Sequence, residues 1–62
     1  MYALVVIDTG GDGPYAFSDE VEDDNPSTLT QMIEEHGFDP MYVYDIFIIE
    51  GSYRVLGPDY LD

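Results

Sequence analysis

Fourteen carboxylates and a single basic side chain, Arg54, share a chain of 62 residues that has no lysine. This imbalance constrains the fold more than any motif does, because a compact state must crowd like charges with almost nothing to neutralise them. A formal net charge of −13 also repels nucleic acid and anionic lipid, so direct binding to either is disfavoured. High charge can keep a chain unfolded. Here hydrophobic residues reach 45% and aromatics 15%, enough apolar surface to drive collapse. The expectation is one acidic domain spanning residues 1–62, near the lower size limit for an autonomous core.

Small domains often add disulfides, metals or oligomerisation. With no cysteine, this chain has no disulfide, no thiolate metal site and no thiol nucleophile. Met1–Asp8 lacks a basic stretch ahead of its short apolar run, unlike a signal peptide. Apolar runs such as Ile46–Ile49 are far too short to span a bilayer. The expected setting is the cytoplasm.

Tyr2–Ile7 is β-branched and apolar on both faces, as a central strand would be. The glycine-rich segment Thr9–Gly13 should reverse the chain, and Tyr15–Ser18 should return as a short strand behind Pro14. Asp19–Asp24 reads as a solvated acidic loop. Asn25-Pro26 then opens a helix, with Asn25 placed to cap free amides and Pro26 at the first helical position. Leu29, Met32, Ile33 and His36 share one face, and Gly37 followed by Phe38 predicts a Schellman ending. The helix is expected from about Pro26 to His36. Beyond the Asp39-Pro40 turn, Tyr42–Ile49 is the strongest strand signal, and Glu50–Ser52 reverses into Tyr53–Leu56. The fold class is α+β: a small antiparallel β-sheet of ββαββ order, two hairpins with one α-helix on one face.

One helix covers one sheet face. By simple alternation Val43, Phe47 and Ile49 point one way, and Tyr42, Tyr44, Ile46 and Ile48 the other. The second face must then be covered by another copy or by the tail Tyr60-Leu61, or be a binding surface.

Catalysis is not expected. His36 reads as a helix cap or face residue, and Ser18, Ser27 and Ser52 lie in turn or capping contexts without a nucleophile elbow. No cofactor is implied. Asp8, Asp12 and Asp19 overlap the first, fifth and twelfth positions of a calcium loop, a weak metal candidate. The third position is glycine, the last ligand is Asp, and a strand precedes it, so an ordinary turn is the better reading. Gly10–Gly13 lacks the lysine and hydroxyl of a phosphate loop, and Asp8 and Asp12 would repel the anion.

The acids themselves are the remaining signal. Asp19, Glu20, Glu22, Asp23 and Asp24 cluster ahead of the helix, while Glu34 and Glu35 sit in its last turn, where the dipole favours cations. Asp45 interrupts the best strand. Local rules broken without compensation are where function is expected. Fourteen charges match about 24 Å of duplex at one charge per roughly 1.7 Å, close to the diameter of a compact chain of this length, about 25–30 Å. In general character the chain resembles the very short acidic proteins with which phages block host nucleic-acid enzymes, a likeness of composition and not of motif. That resemblance implies an inhibitor that mimics DNA and fills the basic site of a host defence or DNA/RNA-processing enzyme, in the host cytoplasm. The expected partner is a basic protein surface. Contact would run through the eight acids named in this paragraph, with tyrosines such as Tyr42 and Tyr44, and also Tyr15 or Tyr53, as anchors. The competing expectation is a small dimeric interaction or accessory subunit whose acidity serves solubility, as in a salt-loving organism.

Overall fold

The computed structural model describes residues 1–11 and 13–61. Four antiparallel strands, β1 (Tyr2–Asp8), β2 (Pro14–Glu20), β3 (Val43–Glu50) and β4 (Ser52–Val55), form one sheet in the order β2-β1-β3-β4. A single helix, α1 (Pro26–Glu35), lies on one face, and short 3-10 turns occupy Pro40–Tyr42 and Pro58–Leu61. The fold is the expected small α+β arrangement of two hairpins about one helix. The hairpins meet through β1 and β3, the two most apolar strands, which therefore take the centre.

The core forms where the odd positions of β1 meet the helix. Ala3, Val5 and Ile7 are fully buried against Leu29 and Ile33, with Ile46 and Ile48 from β3 completing the layer. Each large apolar side chain buried this way contributes about 1.5–3 kcal/mol. The helix ends as its sequence predicts. Gly37 takes φ +88°, its N–H donates to the Glu34 carbonyl at 3.0 Å, and the Phe38 N–H donates to the Ile33 carbonyl at 3.2 Å. These are the two bonds of a Schellman motif. At the other end Asn25 is the N-cap residue, yet its side chain makes no capping bond. Its own N–H instead donates to the Asp23 carboxylate at 3.0 Å.

Four details depart from the sequence reading. β2 is longer than Tyr15–Ser18, because Asp19 and Glu20 stay in register opposite Ala3 and Tyr2, so the acidic loop begins two residues later. Tyr42 belongs to the 3-10 turn and not to β3. A β-bulge displaces the register between Val6 and Ile7, so Ile7 meets Val43 while Val6 meets Asp45. Simple alternation fails across that extra residue. Val43 therefore shares the helix-covered face with Ile46 and Ile48, and Phe47 and Ile49 occupy the opposite one. Finally, the segment around Tyr60 and Leu61 packs beside α1, where the Tyr60 hydroxyl donates to the Asp24 carbonyl at 2.6 Å. It does not cover the second face of the sheet.

Candidate partner-binding surface

The extension of β2 decides where the first acids go. Asp19 stands on the helix side next to the partly buried Phe17, and Glu20, one residue on, points to the open side. The chain then turns as Val21 buries its side chain and donates its N–H to the Met1 carbonyl at 2.9 Å. This turn lays Glu22 beside the outer edge of α1. Asp19, Glu20, Glu22 and Glu35 thereby line one surface groove of about 360 Å³, together with Thr28 and Gln31. The polar Thr28 and Gln31 were not anticipated; their i, i+3 spacing on the helix, with Glu35 at i+7, is the signal that could have placed them on one stripe.

At the edge of this groove His36 approaches Asp19, with Nε2 3.2 Å from Oδ2, and its ring stacks on Phe17 at a centroid distance of 4.4 Å. Phe17 stacks in turn on Phe38 at 5.3 Å. His36 is thus an exposed residue clamped at the helix end, not part of the buried face.

The other predicted acids serve different ends. The Thr28 hydroxyl and then the Asn25 N–H hold the Asp23 carboxyl below its ordinary range. Asp24 accepts from the Arg54 guanidinium of β4 and holds that group above its ordinary range. The one arginine is therefore tied to Asp24. Asp45 is half-buried beside the bulge and accepts from the Ile46 N–H at 2.9 Å. Its place in the strand has a visible compensation, contrary to the expectation that it breaks a local rule for nothing. Glu34 is exposed on α1 but does not line the groove.

The face of the sheet away from α1 carries no helix. Leu4, Phe47, Ile49 and Tyr53 line a shallow apolar depression of about 410 Å³ there, closed at one end by the Gly51-Ser52 turn. Tyr2 and Val55 extend it, and both are more than half exposed. Glu20 stands at one end of this face, and Asp8 and Asp45 at the other. Of the predicted anchors, Tyr44 reaches this surface, 64% exposed beside Val6, Asp8 and Pro14, while Tyr42 lies apart in its 3-10 turn. Tyr44 sits at the end remote from Glu20, so the structure separates it from the acidic groove. Tyr2, Phe47 and Ile49 went unrecognised because alternation groups Phe47 with Ile49 but does not say which face the helix covers.

The weak metal candidate does not assemble. Asp8 pairs with Pro14 and Asp19 with Ala3, five positions apart along β1, or about 17 Å at roughly 3.3 Å per residue. Asp8 instead accepts from the Gly10 N–H at 2.9 Å in a local turn, and Asp12 lies outside the described residues. Among the described residues no three His, Asp or Glu side chains converge as they would around a metal ion, and no polar or charged side chain is buried. No helix is long and apolar enough to cross a membrane. Comparison with known protein families, with curated proteins and with solved structures returns no match to this chain.

Proposed function

We propose that this chain is a non-enzymatic acidic inhibitor that occupies the basic nucleic-acid-binding site of a DNA- or RNA-processing or host-defence enzyme, its carboxylates standing where phosphates would. The observation that carries this reading is the groove where Asp19, Glu20, Glu22 and Glu35 come together with no lysine or arginine among its lining residues. The magnitudes agree. The molecule is 33 Å long, and a duplex of that length carries about 19 charges. A net charge of −13 over the same span is therefore about two-thirds of the linear density of DNA. A cleft built to neutralise a duplex meets a comparable field, and inhibition is competitive. For a phage-borne chain, the site of action is the host cytoplasm.

The open apolar face favours a second reading, a small dimeric accessory subunit whose acidity keeps it soluble. Carboxylate-to-amide substitution separates the two. A basic nucleic-acid enzyme captured on the wild-type chain, and released at high salt, should associate at least about tenfold more slowly with the combined Asp19→Asn, Glu20→Gln, Glu22→Gln, Glu35→Gln variant, at unchanged circular dichroism. An unchanged association rate would contradict mimicry.

A further inference from the structure

We propose that the open face of the sheet is a docking surface for a protein partner whose contact has an apolar centre and an arginine- or lysine-bearing rim. This rests on the inhibitor reading and adds to it where the partner sits: on the apolar sheet as well as on the acids. Strands of seven, seven, eight and four residues give a whole face of about 410 Å² in projection. Within it Tyr2, Leu4, Phe47, Ile49, Tyr53 and Val55 are contiguous apolar neighbours, the kind of patch that marks an interaction site. Exposed aromatic side chains on it, Tyr53 at 68% on β4 and Tyr2 at 53% level with Glu20, are the residue type that dominates interface energies.

Charge decides the occupant. Glu20 stands at one end of the face, and Asp8 and Asp45 at the other. Stacking two copies face to face with strands antiparallel lays β2 on β2 and brings Glu20 of one toward Asp8 of the other, whereas with strands parallel β2 lies over β4. Either arrangement joins two bodies of net charge −13 and leaves Glu20, Asp8 and Asp45 without a cation. A partner with cations around an apolar centre satisfies both ends at once. Because Glu20 also lines the acidic groove, that partner can wrap from the sheet onto Asp19, Glu22 and Glu35 and enlarge the contact.

The test uses two defined probes on the isotope-labelled full chain, a peptide alternating arginine with valine and octa-arginine. Amide shifts should place the alternating peptide on Leu4, Phe47, Ile49 and Tyr53, and octa-arginine on Glu22 and Glu35. The Ile49→Thr/Tyr53→Thr variant, which keeps β-branched residues on the strands, should weaken the alternating peptide by at least about tenfold and leave octa-arginine unchanged. Should the double variant lose its fold by circular dichroism, Tyr53→Ser alone, at the most exposed of these positions, is expected to weaken the peptide several-fold. Sedimentation equilibrium should give a monomer across a hundredfold range of concentration at low and high salt. An alternating peptide confined to the acidic groove, or one that binds the folded variant as tightly, would overturn the proposal. A dimer abolished by the same substitutions would overturn it too, and would assign the face to a second copy. Failure of the inhibitor reading looks different: the face binds the alternating peptide, yet the chain does not displace nucleic acid from its enzyme.

Discussion

Glu34 and Glu35 occupy the last turn of α1, which has no basic residue to offset them, and both are exposed. Negative charge at a helix C-terminus opposes the partial charge of the free carbonyls. Replacing both with glutamine keeps side-chain length and nearly the same intrinsic helix propensity, so only the charge changes. Each such charge is worth about 0.3–1 kcal/mol at low salt, and exposure places these two toward the lower end. The Glu34→Gln/Glu35→Gln variant should therefore gain about 0.6–1 kcal/mol, or about 3–8 °C in Tm for a domain this small. Urea denaturation followed by circular dichroism measures it. At 1 M salt the screening length falls to about 3 Å and the gain should vanish. A loss of stability at low salt would refute the reasoning, because it would mean that these carboxylates make contacts the fold needs. A gain that survives high salt would refute it as well, since the cause would then be packing. The single variants also separate fold from function: both should stabilise, but only Glu35→Gln, which lines the groove, should slow association with a basic partner.

Two further outcomes follow from the local structure. Gly37 has φ +88° with open space where a Cβ would go, so Gly37→Ala pays only for left-handed backbone; after allowance for the freer unfolded glycine, it should lose about 0.5–1 kcal/mol in urea denaturation, and Gly37→Asn less. The Thr28 hydroxyl and the Asn25 N–H lower the Asp23 carboxyl in the folded state. Its contribution is thus complete above the unfolded value and lost as pH falls through the folded one, below about pH 4. Asp23→Asn should flatten the stability loss over that window, as read from urea midpoints along an acid series.

The strands and the helix were legible because their signals are local. Asn25-Pro26 starts α1 and Gly37-Phe38 stops it, and the period of Leu29, Met32 and Ile33 shows which side is buried. The exposed face was only half legible. Alternation counts residues along one strand, whereas the bulge at Val6/Ile7 is a property of two strands in register. It separates Val43 from Phe47 and Ile49 and puts it on the covered side with Ile46 and Ile48. The same limit applied to the acids. Composition announced their number, but only the extension of β2 beside α1 brings Asp19, Glu20, Glu22 and Glu35 to one groove. Elsewhere Asp24 is held by Arg54 and Asp45 by the Ile46 N–H. The Asp45 carboxylate takes up the Ile46 N–H beyond the end of β4, a contact that needs no partner.

The most direct measurement is a competition between this chain and duplex DNA or RNA for the basic enzyme captured on it. Mimicry predicts mutual exclusion: rising nucleic acid displaces the chain in full, and the chain's affinity falls steeply with salt, mainly through slower association. A ternary complex in which nucleic acid and the chain bind together, without weakening one another, would contradict it.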